Sequence, residues 1–260
     1  MNGAVFMPIT PLRALRLSAF YIVSLLSLLW FGLSSLIFCS WLPYRLRVPY
    51  LMLWNHFSLW WARVACGVNY RVVGAENIPD GPVVVLSKHE SQWETIFLQM
   101  LLKPLATVLK KELLSIPLFG WGLRLMQPIG IDRSVPREAL RQILNEGQQR
   151  LTDGRRVLIF PEGTRTRPGE TGKFARSGAH LAIKAGVPLL PVAHNAGVYW
   201  PAKKLVRHPG TITVIIGPAI DTDGRKAAEV TELAERWVRS TVNDLASQAA
   251  PANQGRLVLH

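Results

Sequence analysis

Residues 82–97 read PVVVLSKHESQWETIF. The run Pro82 to Leu86 is apolar without alternation and too short for a helix, which suits a strand covered on both faces. The polar turn Ser87-Lys88-His89-Glu90 follows, and Trp93 to Leu102 then reads as a helix. Strand, polar turn and helix make up the repeating unit of an α/β layer.

Outward from this stretch the same alternation continues. Strands are predicted at Val68–Gly74, Ala106–Leu109, Pro128–Ile131, Val157–Phe160, Val187–Ala193 and Thr211–Ile216. Between and after them lie predicted helices at Arg137–Leu151, Phe174–Ala185 and Lys226–Ser247. The first of these carries Leu140, Ile143, Leu144 and Leu151 on one side and stops at Asp153-Gly154. The expected fold is therefore α/β, a mixed, mostly parallel sheet flanked by helices, over residues 68–247. Residues 248–260 are expected to form a flexible tail.

The N-terminal part is different. Ser18 to Cys39, SAFYIVSLLSLLWFGLSSLIFC, holds no charged residue. At about 1.5 Å per residue it would cross a hydrocarbon layer about 30 Å thick. It is longer than a signal-peptide core and carries no small-residue cleavage site. Arg13 and Arg16 precede it and Arg45 and Arg47 follow it, so charge hardly fixes its orientation. Pro49 to Gly67 places Trp54, Trp60 and Trp61 among aliphatic residues, as in a helix at the headgroup level. Residues 1–67 are thus expected to form a membrane-embedded helical pair.

Lys and Arg number 30 against 17 acidic residues, a net charge of +13, which points to an anionic partner. Nucleic acid is disfavoured by the apolar N-terminal helix and by the lack of any nucleic-acid fold signature. An acidic leaflet and phosphorylated substrates fit better. Cys39 and Cys66 are the only cysteines, both in apolar surroundings, and no Cys/His spacing suits a metal. Neither a metal nor a prosthetic group is expected.

In α/β sheets ligands gather beyond the carboxyl ends of strands. Four such ends here carry charge: His89 to Glu94, Lys110-Lys111, Asp132-Arg133, and Glu162 to Arg165. Two readings of the first compete. Ser91-Gln92-Trp93-Glu94 fits a capping box, which would make Glu94 structural. Alternatively, with His89 in the turn and Glu94 in the first helical turn, the carboxylate would hold one imidazole nitrogen and leave the other as a general base. No Gly-x-Ser-x-Gly elbow is present, and both cysteines sit in apolar helices, so a covalent acyl-enzyme is not indicated. In the last cluster Gly163 permits close backbone approach, Thr164 offers a hydroxyl and Arg165 a planar fork suited to phosphate. Arg133, Lys110 and Lys111 are placed to join it. The remaining histidines carry no expected role, although His194, just after a strand, is positioned to line a pocket.

Four motifs in order resemble the 1-acyl-sn-glycerol-3-phosphate acyltransferase family: Lys88-His89-Glu90-Ser91-Gln92-Trp93-Glu94, Gly130-Ile131-Asp132-Arg133, Phe160-Pro161-Glu162-Gly163-Thr164-Arg165 and Val187-Pro188-Leu189-Leu190-Pro191-Val192. The resemblance covers roughly Val68 to Ile220. It implies transfer of an acyl chain from acyl-CoA or acyl carrier protein to the sn-2 hydroxyl of lysophosphatidic acid, giving phosphatidic acid. His89 would be the base with Glu94 as its partner, and Arg133, Glu162, Gly163, Thr164 and Arg165 would bind the glycerol phosphate. Glu94 departs from the commoner aspartate by one methylene but keeps the charge. The expected location is the inner membrane, with the catalytic domain on the cytoplasmic side. Alternatives are another lysolipid acceptor, a lipid hydrolase using the same histidine on water, and a catalytically dead membrane scaffold.

Overall fold

The structure is a computed structural model that describes residues 10–249. The chain begins with a helical hairpin, α1 (Pro11–Cys39) and α2 (Tyr44–Cys66). It continues through β1 (Val68–Val73), β2 (Val84–Ser87), α3 (Trp93–Leu101), β3 (Leu105–Lys110), a 3-10 turn at Lys111–Ser115, α4 (Phe119–Arg124) and β4 (Ile129–Ile131). Then come α5 (Pro136–Thr152), β5 (Arg156–Ile159), α6 (Ser177–Ala185), β6 (Leu189–His194), α7 (Ala196–Tyr199), β7 (Gly210–Ile216) and α8 (Ala227–Ala249). Most of the expected tail lies outside the described residues; its first two positions continue α8.

The seven strands form one mixed sheet in the order β1-β7-β6-β2-β5-β3-β4. Every pairing is parallel except β6 with β7. Strand β2 lies between β5 and β6, and all four of its residues are buried, which is why its sequence does not alternate. Because β2 to β6 run in the same direction, their carboxyl ends share one edge, and the four charged clusters meet there. One face of the sheet packs Val83, Val85, Trp93, Phe97 and Leu98 against Phe20, Leu59 and Ala62 of the hairpin. The other packs Val84, Leu86 and Ile159 against Leu181, Val230 and Val238 of α6 and α8.

The helix starts differ most from the sequence reading. Helix α1 starts at Pro11, a residue favoured in the first turn, with the Thr10 hydroxyl accepting from the Arg13 amide at 3.3 Å. Helix α2 starts at Tyr44 and runs through Pro49. Helix α6 starts only at Ser177, because the Ala175 amide bonds to the Pro161 carbonyl (2.9 Å) and the Phe174 amide to Glu235 (3.1 Å). Leu140, expected on the core side of α5, is exposed; Ala139, Ile143, Gly147 and Leu151 form its buried stripe.

Helix α1 is the one helix among the described residues long and apolar enough to cross a membrane. One side packs along its length. Near its start Arg13 reaches the Arg207 carbonyl, Phe20 meets Trp200 edge-on at 5.4 Å, and further along Gly32 and Ser35 lie against the Leu118–Gly122 segment. The opposite side exposes a stripe of Leu15, Ile22, Leu26, Trp30, Leu33 and Ile37, with Trp30 71% exposed. The three tryptophans of α2 divide: Trp60 faces outward, while Trp54 and Trp61 are half-buried and the Trp61 indole donates to the Phe20 carbonyl (3.2 Å).

Candidate active site

The turn after β2 brings His89 and Glu94 together: imidazole Nδ1 lies 2.8 Å from Glu94 Oε1. The same oxygen accepts from the amides of Glu90 (3.0 Å) and Ser91 (2.8 Å), and the Ser91 hydroxyl accepts from the Trp93 amide (3.1 Å). Glu94 therefore closes the helix N-terminus and holds the imidazole with one oxygen; the two readings of the motif describe one arrangement. Complete burial pushes the Glu94 carboxyl up, but the hydrogen bond from His89, the electrostatic influence of the two nearby imidazoles and the Ser91 amide outweigh it and hold the group below its ordinary value. An ionised Glu94 takes its hydrogen bond from Nδ1–H, which leaves the Nε2 lone pair as the basic site. The ring stacks on Phe160 (4.0 Å between centroids, 22° between planes) and its side chain keeps 13% exposure.

Beneath His89 lies a buried charge cluster. Lys88, with no exposed surface, sends its ammonium to both Glu162 oxygens (3.1 and 3.3 Å) and to the Thr166 hydroxyl. Glu162 also accepts from the His89 amide (3.4 Å) and the Gly172 amide (3.1 Å), and the Thr166 amide donates to the His89 carbonyl (2.9 Å). The loops after β2 and β5 are thus joined at both main-chain ends of His89. Glu90 lies 3.7 Å from Lys88 and accepts from the Gly197 amide (3.0 Å). Burial raises its carboxyl to about 8, against the pull of Lys88. A neutral Glu90 leaves one ion pair, Lys88 with Glu162, rather than a lone excess charge in the interior.

Glu162 was expected to contact the glycerol phosphate; its position instead makes it the counter-charge of a buried lysine. His194 does not line a pocket: it is fully buried, donates from Nε2 to the Lys88 carbonyl (2.8 Å), and accepts at Nδ1 from the Ala196 amide (3.3 Å). Burial, against the pull of the Glu94 carboxylate and the Lys88 carbonyl, keeps its imidazole below the ordinary value, consistent with this neutral tautomer.

The phosphate-suited groups occupy the rim. Arg133, two residues beyond β4, donates from Nη1 to the Gly163 carbonyl, and Arg165 donates from Nε to the Ser91 carbonyl at 3.0 Å. Gly163 has φ 69°, in the left-handed region that glycine tolerates. Thr164 and both arginines are exposed. Arg133, Gly163, Arg165, Ser91 and His89 are therefore one connected group. The two lysines are farther out: Lys110 pairs with Glu112 (3.2 Å), and Lys111 pairs with Asp132, the neighbour of Arg133.

The fold and this constellation define an acyltransferase domain. The family described as Acyltransferase matches residues 69–195, which contain Lys88, His89, Glu94, Arg133, Glu162 and Arg165. A 1-acyl-sn-glycerol-3-phosphate acyltransferase of Pseudomonas aeruginosa is 47% identical over 237 residues, 90% of this chain and 92% of that protein. One of Saccharomyces cerevisiae is 31% identical over 179 residues, 67% of this chain and 59% of that protein. The solved structure of the 1-acyl-sn-glycerophosphate acyltransferase PlsC of Thermotoga maritima aligns with a TM-score of 0.75 at 24% identity, covering 90% of this chain and 96% of that one, and so shares the fold. The chain belongs to the 1-acyl-sn-glycerol-3-phosphate acyltransferase family.

Proposed function

We propose that this protein moves an acyl chain from acyl-CoA or acyl carrier protein to the sn-2 hydroxyl of 1-acylglycerol 3-phosphate, forming phosphatidic acid. The observation that carries the reading is the His89–Glu94 pair, set at the strand ends beside Arg165 through Ser91. His89 Nε2 takes the hydroxyl proton as the oxygen bonds to the thioester carbonyl carbon. The tetrahedral oxyanion collapses, the C–S bond breaks, and the leaving thiolate takes the proton back from the imidazolium. Glu94 fixes the tautomer and offsets the imidazolium charge in the transition state. A thiolate is a good leaving group, so no separate strong acid and no covalent acyl-enzyme are required.

Arg133, Thr164 and Arg165 would hold the acceptor phosphate, with Gly163 allowing close backbone approach. Glu162 acts one step back, through Lys88 and the His89 amide. The apolar stripe of α1 would lie in one leaflet: a helix packed along its length on the α/β domain cannot cross a bilayer without drawing that domain in. The cytoplasmic face of the inner membrane, where acyl thioesters are found, suits this arrangement.

The test offers purified protein 1-acylglycerol 3-phosphate with labelled acyl-CoA or acyl carrier protein. Label in phosphatidic acid, lowered by about 10²–10⁴ in His89→Ala, is the expected result. Label released as free fatty acid whether or not acceptor is present would instead indicate a hydrolase.

A further inference from the structure

A second basic site lies away from His89. Between the first turns of α1, the last turn of α2 and the loop before β7 is a recess of about 450 Å³. Its walls include Leu12, Arg13, Arg16, Leu17, Cys66 and Arg207, and no carboxylate of the described residues lines it. Three cations thus face an otherwise largely apolar cavity. The arginines are differently held. Arg13 is braced by its Nη2 bond to the Arg207 carbonyl (3.1 Å), while Arg16 is exposed and takes part in no salt bridge among the described residues.

Arg207 forms the inner wall of the recess. It is 8% exposed, its guanidinium lies over the Trp200 ring at 4.5 Å, and Nη1 is used by backbone carbonyls, the Lys204 carbonyl at 2.7 Å among them. A buried cation lining a cavity that also holds Arg13 and Arg16, with no carboxylate of the described residues beside them, is short of an anion.

Around the recess, Leu12, Leu15 and Leu205 are 60%, 67% and 72% exposed, continuing the apolar stripe of α1. Whatever enters must therefore carry a phosphate-like charge beside hydrocarbon.

We propose that this recess binds an anionic phospholipid of the leaflet, with the headgroup phosphate between Arg13, Arg16 and Arg207 and the start of an acyl chain along Leu12 and Leu17. The site is separate from the acceptor site and does not depend on His89. It would fix the depth and rotation of the hairpin in the membrane, a task that a diffuse basic surface performs poorly.

Cys66 in the wall reports occupancy without any activity measurement, and buried Cys39 serves as an internal reference. In neutral detergent micelles, added phosphatidylglycerol should slow alkylation of Cys66 but not of Cys39, and phosphatidylcholine should leave both rates unchanged. At roughly fivefold in affinity per arginine, Arg16→Gln should raise the half-protecting phosphatidylglycerol concentration about fivefold and Arg13→Gln/Arg16→Gln about 25-fold. Arg45→Gln, at the far end of the hairpin, should leave it unchanged. Equal protection by phosphatidylcholine, an equal effect of Arg45→Gln, or full protection by inorganic phosphate alone would each overturn the proposal, the last by replacing a lipid with a free ion. Arg16 is exposed, so its variant keeps the test valid even if the double variant folds poorly.

Discussion

The hairpin and the strand-end edge solve opposite problems with the same chemistry. Along α1, leucine, isoleucine and tryptophan side chains point outward, and the small or polar residues Ser27, Gly32, Ser34 and Ser35 point inward. At the strand ends, lysine, glutamate and histidine lie inside and the arginines stand at the rim. The usual inside-out rule fails in both places, for different reasons. In the proposed reading the hairpin meets a second, apolar solvent, so its outer face need not be polar. The strand-end edge must hold an imidazole within a fraction of an ångström, and buried charge pairs give directional restraint where apolar packing does not. A lipid alcohol would reach the imidazole only where these two regions adjoin.

The largest effect should come from breaking the charge cluster under His89. Lys88→Met leaves Glu162 buried without its partner and is expected to cost about 3–5 kcal/mol of stability. The double change Lys88→Met/Glu162→Gln should recover most of that stability, seen in thermal unfolding, yet remain slow in kcat because the two loops are no longer tied. If the double variant regained full turnover, the cluster would be only a folding device. Next in size, Arg165→Lys exchanges a planar fork for a point charge and should raise KM for the phosphate-bearing acceptor about tenfold while kcat changes little.

On the hairpin side, Leu26→Lys/Trp30→Lys should reduce partition onto vesicles by about 10²-fold or more, given about 2–3 kcal/mol per charge placed in apolar lipid. Turnover of detergent-dispersed substrate should be unchanged. Equal vesicle binding by this variant would mean that the stripe faces something other than lipid.

The last effect, read as a change with pH, concerns Glu90. Its carboxyl is raised to about 8 in the folded chain, so the folded state binds a proton that the unfolded chain, with an ordinary carboxyl near 4.5, has already released. Stability from this group is present below the unfolded value and falls as pH rises toward 8. Glu90→Gln keeps an acceptor for the Gly197 amide but cannot ionise. Its melting temperature should therefore gain on the wild type between pH 5 and pH 8; a constant difference would show that Glu90 is ionised throughout.

Much of this was legible in the sequence wherever partners are close along the chain. The strand, turn and helix of residues 82–97 show the α/β repeat locally, and His89 and Glu94 are five residues apart. The cluster beneath them was not legible. Lys88 meets Glu162 across 74 residues, and His194 holds the Lys88 carbonyl across 106, distances that only the strand order β6-β2-β5 closes. A lysine directly after a fully buried strand was the available signal, since such an ammonium requires a carboxylate somewhere. Residues 111–124, with Pro117, Gly120 and Gly122, have no helical pattern of their own. Packing of Leu118 and Gly122 on α1 shapes them, and Leu118 is held at φ 60°, where leucine is rarely found.

The central claim is that Glu94, beyond capping α3, holds His89 as the base in acyl transfer. It is tested most directly by following transfer from a labelled acyl thioester to 1-acylglycerol 3-phosphate in a single turnover, in wild type and in Glu94→Gln. Glutamine can still accept the Glu90 and Ser91 amides but cannot offset an imidazolium. The account predicts a folded variant with unchanged KM, transfer slowed by about 10² or more, and no label on the protein in either case. Wild-type turnover in Glu94→Gln, or label held covalently on the protein, would contradict it.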